Sequence, residues 1–247
     1  MALISLLVGS AEALVLKTPD GYLFSSEEWW SGDRLQVGTR ITVPHLIDAT
    51  RGDGHEFLNH INHLDVHDDF EPTRLFVDYW FHPSYGLELT WERLTADLKN
   101  EDGGSRDGRI ELTGPILTYQ YRYNGLAHWT PYCGLGLTVD HVSFKHTAWH
   151  RYGFDSEEAW RSVGSPEEPR HGKSRHFRVD DTWGWVGVVG ADIHLDQGWS
   201  LDLYLRYTQV EVDMSYSTTV EGEVVQDAHR DVPFDNVALG LGVRYSF

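Results

Sequence analysis

Between Trp199 and Tyr207 every odd residue is apolar, while the even residues Ser200, Asp202, Tyr204, Arg206 and Thr208 form a polar series. A period of two marks a strand with unlike faces. The last residues repeat the pattern. Val237, Leu239, Leu241, Val243, Tyr245 and Phe247 form an apolar stripe, and Asn236, Ala238, Gly240, Gly242, Arg244 and Ser246 oppose it. The same alternation predicts strands at 34–44, 73–82, 86–98, 109–123, 129–144, 178–195, 198–213 and 233–247. No amphipathic helix longer than two turns is predicted.

The connections between these eight strands alternate in length. Segments 45–72, 99–108, 145–177 and 214–232 are long or medium; "HPSYG", "NGLAH" and "DQG" are short. "NEDGGSRDG" carries turn chemistry throughout, and "SPEEPRHGKSR" reads as a mobile charged loop. Sorting by length is what an up-and-down barrel gives when its short turns gather at one end. The predicted fold is therefore all-β: an eight-stranded antiparallel up-and-down transmembrane barrel with long extracellular loops.

Parity alone does not say which face meets solvent. Three features select the inverted arrangement, with apolar residues toward lipid. The polar series is rich in Gly, Ala, Ser and Thr, as a narrow barrel interior requires. The apolar series is bounded by aromatics, as an interface girdle requires; Trp91, Trp183, Trp185, Trp199, Tyr207 and Tyr245 are the candidates. The polar series also carries charges that a dry core would not hold unpaired. These are Arg40, Asp78, Glu88, Glu92, Arg122, Asp140, Asp192, Asp202, Arg206 and Arg244. They are expected to form a network in the bore, either a salt-bridged plug or a polar pathway. A wide aqueous pore is excluded, because eight strands enclose little more than their own side chains.

Composition adjusts this picture in three places. The chain has 247 residues and a net charge of -18, which argues against nucleic acid as a partner. Its single cysteine excludes an intramolecular disulfide. At the amino terminus "MALISLLVGSAEALV" ends in Ala11-Glu12-Ala13, the small-x-small shape of a secretory cleavage site, although no Lys or Arg follows Met1. Residues 1–13 are read as a signal-peptide remnant, 14–33 as an N-terminal periplasmic segment and 34–247 as the barrel.

Several stretches then point to a family. "PILTYQYRYN" with "WTPYCGLGLTVDHVSF" resembles strands four and five of the OmpW family of small outer-membrane barrels. "DTWGWVGVVGADIHLDQGWSLDLYLRYTQVEVD" is similar to its strands six and seven, and "LGLGVRYSF" to its last strand; "WFHPSYGLELTWERL" matches more loosely. The resemblance covers about 75–247. It implies residence in the outer membrane of a Gram-negative bacterium, amid outer-membrane lipid and lipopolysaccharide. It also implies passage of a small hydrophobic solute, with exit sideways into the bilayer. The final strand is similar to the outer-membrane insertion signal at Gly242, Val243, Tyr245 and Phe247, which implies the barrel assembly machinery as a partner. The long acidic loops depart from the family, and a sealed structural barrel acting through those loops is the alternative.

Other chemistry is weaker. His55, His60, His63 and His67 crowd the first long loop among acids, yet their spacing fits no metal template; solvated loop histidines are the default. Some eight-stranded outer-membrane barrels deacylate lipid A through a His-x-Ser pair with a downstream Glu. Here His141 and Ser143 have that spacing, but they sit in strand five and no Glu follows at the required distance. No nucleotide or zincin motif occurs. Neither catalysis nor a cofactor is expected.

Overall fold

Alternating strands rich in aromatic and β-branched residues build the wall. In a computed structural model the chain is described at residues 17–18, 21–22, 34–51, 56–58, 61–66, 74–99 and 106–247. The eight barrel strands are β1 (Leu35–Leu46), β2 (Arg74–His82), β3 (Tyr85–Lys99), β4 (Arg106–Arg122), β5 (Trp129–His146), β6 (Thr182–His194), β7 (Trp199–Val220) and β8 (Asn236–Ser246). Each pairs antiparallel with its neighbour in sequence, and β8 pairs with β1 to close the ring. The expected eight-stranded antiparallel ring is the observed one. Leu203, Leu241 and Val243 point outward, while Asp202 and Arg206 are buried inside.

Strand lengths are unequal: β6 has 13 residues and β7 has 22. The wall therefore rises well above the lipid-facing belt on the long-loop side. Segment 214–232, read from sequence as a loop, is instead the upper part of β7 and a returning strand, Glu223–Pro233. Met214, Tyr216 and Thr218 face a core while Ser215 and Ser217 face out, so a polar outer face masked the strand. The arm turns at Glu221 (φ 52°) and Gly222 (φ 89°), a left-handed pair favoured in two-residue hairpins.

Segment 145–177 is also more ordered than its composition implied. It carries short helices at Ala148–Arg151 and Glu157–Ser162, the second capped by Ser156 Oγ accepting from Ala159 N at 3.1 Å. A strand at Lys173–Val179 then pairs with Met214–Val220 of β7. The predicted strand 178–195 is thus two strands interrupted at Asp180 and Asp181. The proposed signal remnant and most of segment 14–33 lie outside the described residues; a two-residue ladder joins Lys17–Thr18 to Gly21–Tyr22.

The outward face of the lower wall is an apolar belt. Leu75, Leu135 and Leu239 are 68%, 74% and 63% exposed, a surface that would not be left to water on a soluble monomer of this size. Toward the short turns Trp199 and Tyr245 lie 4.9 Å apart, and Tyr245 meets Phe247 at 5.2 Å. At the other rim Trp183 and Trp185 lie 6.0 Å apart, with Trp91 and Tyr207 also exposed. On β7 nine residues separate these rims. At about 3.3 Å per residue and a strand tilt of about 35–45°, they cover most of the ~25 Å hydrocarbon band of such barrels.

Candidate functional site

The bore of the lower wall is filled by two tiers of charge. In the first, Arg40 on β1 grips Glu88 on β3 with both terminal nitrogens at 2.6 Å and bonds Asp202 on β7 through Nε. Arg244 on β8 reaches Asp192 on β6 at 2.5 Å and Asp78 on β2 at 3.2 Å, and lies 3.7 Å from Glu88 and 3.6 Å from Asp202. Tyr132 on β5 donates its hydroxyl to Asp202 at 2.7 Å. Two guanidinium groups thus hold together acids from four strands. The planar fork of arginine suits this bridging role better than lysine would. Phe76 packs 3.8 Å below the Arg40 guanidinium.

Small residues make room for this layer. A Cβ on Gly240 would lie 1.7 Å from the Tyr204 ring, and one on Gly190 2.4 Å from that of Tyr132. Asp202 is 0% and Arg244 1% exposed, so no water-filled bore passes at their level. Both carboxylate oxygens of Asp78 and Oδ1 of Asp192 are buried with no well-formed hydrogen bond.

The second tier lies toward the long loops. Glu92 on β3 is shared by Arg74 on β2 and Arg206 on β7. Arg74 also donates to the backbone carbonyl of Arg93 at 3.0 Å. Asp140 accepts from Thr138 at 2.8 Å. Arg74, an inward base, was absent from the sequence-derived set; its place opposite Glu92 in the β2–β3 alternation was the available signal. Arg122 stands apart from both tiers at the short-turn mouth, where Nε donates to the Pro83 carbonyl at 2.6 Å and the guanidinium lies 4.0 Å over Trp80.

Directly above the second tier the bore changes character. Leu46, Leu98, Ile110, Leu112, Val142, Val210, Val212, Met214, Tyr216, Val232 and Phe234 form a dry apolar core. Phe57, Leu58, Ile61 and Leu64 of the β1–β2 connection fold into it. Phe57 N donates to Ile61 O at 2.7 Å and Ile61 N to Leu58 O at 3.0 Å, which satisfies backbone groups that would otherwise be buried unpaired. A void of about 30 Å³ lies at the junction, between Arg74, Glu92, Asp140 and Arg206 on one side and Leu94, Leu112 and Val210 on the other.

The described part of β2 pairs with β1 over Leu35–Arg40, and residues 41–46 of β1 pair with β8. At the upper end of β3, Ala96–Lys99 pairs with the short strand His63–Val66.

The remaining candidates fall elsewhere. His63 hydrogen-bonds Thr50 at 2.7 Å; His55, His60 and His67 lie outside the described residues. Among the described residues no group of three or more His, Cys, Asp or Glu is arranged to hold a metal. His141 and Ser143 lie on the outer face above the belt; His141, 74% exposed, has its Nδ1 on Asp181 at 2.8 Å. Gly242 and Val243 occupy the lower part of β8, and Tyr245 and Phe247 the short-turn aromatic rim. Outside the membrane half, burial together with repulsion from His150, Arg151 and His176 holds the His146 imidazole down at about 4. Its Nδ1 is buried without a hydrogen bond.

No protein-family model and no curated protein matches the sequence. Solved structures do match. The outer membrane protein OprG from Pseudomonas aeruginosa aligns with 86% of this chain and 94% of its own, at 21% identity and a TM-score of 0.55. The outer membrane protein AlkL, solved in DMPC bilayers, aligns with 87% and 90%, at 19% identity and a TM-score of 0.52. The Escherichia coli outer membrane protein W covers 87% and 98%, at 15% identity and a TM-score of 0.48. The first two fix the fold as that of small eight-stranded outer-membrane barrels. The apolar belt suits that fold to a bilayer.

Proposed function

We propose that this chain is a bacterial outer-membrane barrel that admits small apolar molecules to the outer half of its bore and releases them sideways into the bilayer. The observation that carries this reading is the abrupt change of the bore at one height, where the apolar core ends and the ionic tiers begin. A hydrophobic solute moving down the bore meets charged groups fixed in a water-free layer. Desolvating those groups for an apolar guest costs several kcal/mol per ion, whereas the side exit leads to hydrocarbon. Lipopolysaccharide and outer-membrane lipid then contact the belt, and Gly242, Val243, Tyr245 and Phe247 serve the assembly machinery.

In this reading the side chains of Phe57, Leu58 and Ile61 shift to admit a solute, since they fill the space it would use. The alternative is a permanently sealed barrel that acts through its acidic outer surface. The near-complete burial of Phe57, Leu58 and Ile61, at 2%, 0% and 0%, is the observation in its favour.

Uptake of a hydrophobic fluorophore into liposomes, with and without the barrel, separates the two. The lateral route predicts faster uptake with protein and a several-fold loss in Leu94→Trp, which fills the junction. Equal uptake with and without protein removes the lateral route and leaves the sealed barrel.

A further inference from the structure

Of the ten charges placed inward from the sequence, Arg122 alone belongs to neither ionic tier. It lines a vestibule of about 650 Å³ that opens at the short-turn end of the bore, a volume within the range of small-molecule sites. Arg34, His82 and His194 line it as well, and no carboxylate does among the described residues. That is the reverse of the chain as a whole, whose net charge is -18. A cationic concavity in an acidic protein concentrates anions locally.

The basic groups are held in place. Arg122 is fixed by the Pro83 carbonyl and the Trp80 ring, and Asn124 Nδ2 donates to the same carbonyl at 2.6 Å. His194 Nε2 meets Thr130 Oγ1 at 2.8 Å. The vestibule is a dead end: Trp80 Nε1 donates to Gln36 Oε1 at 2.9 Å, Gln36 Nε2 donates to Ser246 Oγ at 2.8 Å, and Trp80 is only 2% exposed. Its shape suits retention of a ligand and not its onward passage. Beside the charges, Pro83, Leu126 and Ala127 supply apolar wall.

We propose that this vestibule is a binding site, facing the periplasm, for a small organic carboxylate with an apolar body. The carboxylate meets the Arg34 and Arg122 guanidinium groups, whose geometry suits it, and the body rests on the Leu126 side. This site lies on the opposite side of the ionic tiers from the lateral exit. It stands whether or not hydrophobic uptake is observed.

The test is calorimetric titration of the full-length barrel in zwitterionic micelles with benzoate, benzyl alcohol and inorganic phosphate as probes. Saturable benzoate binding is expected, with affinity reduced at least tenfold in Arg122→Gln and in Arg34→Gln. Arg34 precedes the first barrel strand, so its variant carries the test if Arg122→Gln does not fold. Benzyl alcohol is expected not to bind, and phosphate to bind at least tenfold more weakly than benzoate. The site is refuted by absent benzoate binding, by unchanged affinity in a folded variant, or by equal binding of benzyl alcohol. Phosphate binding as tight as benzoate overturns the organic-carboxylate class.

Discussion

The lower and upper halves of the barrel use one backbone pattern to opposite ends. Along β7 the even residues face inward from Ser200 to Thr218. Up to Thr208 they are polar or ionic against an apolar exterior. From Val210 onward they are Val212, Met214 and Tyr216, against an exterior of Glu211, Asp213 and Ser215. Side-chain direction follows from the pleat and does not change. What changes is the solvent outside: hydrocarbon in the lower half, water in the upper. Each half hides whatever its own surroundings reject.

The halves therefore cohere by different physics, and perturbations should separate them. The largest effect is expected in the ionic layer. Arg244→Leu strands Asp78 and Asp192 in a buried layer, and breaking such a pair costs about 3–5 kcal/mol. Urea unfolding in liposomes should show that loss. A loss below about 1 kcal/mol would mean that the layer is wetter than its burial indicates.

Next comes the apolar half. Leu58→Ala removes a fully buried side chain and should cost about 2–4 kcal/mol, as core truncations to alanine do. Because the two halves have separate cores, hydrogen exchange should rise in the upper strands and not around Arg40. A third perturbation exchanges the environments. Leu203→Arg, at mid-belt, should cost about 2–4 kcal/mol. Ser215→Arg, on the same strand above the belt, should stay within about 0.5 kcal/mol, as exposed substitutions do.

The smallest effect is on pH. The His146 imidazole is held at about 4 in the folded chain, below its ordinary value near 6.5. The neutral ring is favoured by folding, so its contribution is complete above about pH 6.5. It is lost as pH falls from there through 4, because the unfolded chain then takes up the proton more readily. With the ring only partly buried, solvent screening reduces the effect to about 1–2 kcal/mol. Acidification should therefore loosen the segment around Phe144 and Phe177 first. His146→Gln should flatten that dependence in hydrogen-exchange measurements.

Sequence exposed the lower half well and the upper half poorly, for a physical reason. In the belt, alternation contrasts leucine with aspartate or arginine, so strand, face and register are set together. The same parity puts Arg74 on the inward face with Phe76 and Asp78, although the set of inward charges left it out. Above the belt the outer face is Ser, Thr, Glu and Asp, residues that also populate loops. Thus Glu223–Pro233 and Lys173–Val179 read as connections.

The switch of environment between Thr208 and Val210 is open to direct measurement. Single cysteines along β7, in a Cys133→Ser background, can be spin-labelled in liposomes and probed with oxygen, which partitions into lipid, and with a water-soluble nickel chelate. Positions 203 and 205 should favour oxygen, 213 and 215 nickel, and 212 and 214 neither. Nickel access at 212 and 214 equal to that at 213 and 215, or at 203 equal to that at 215, would contradict the inverted two-core barrel.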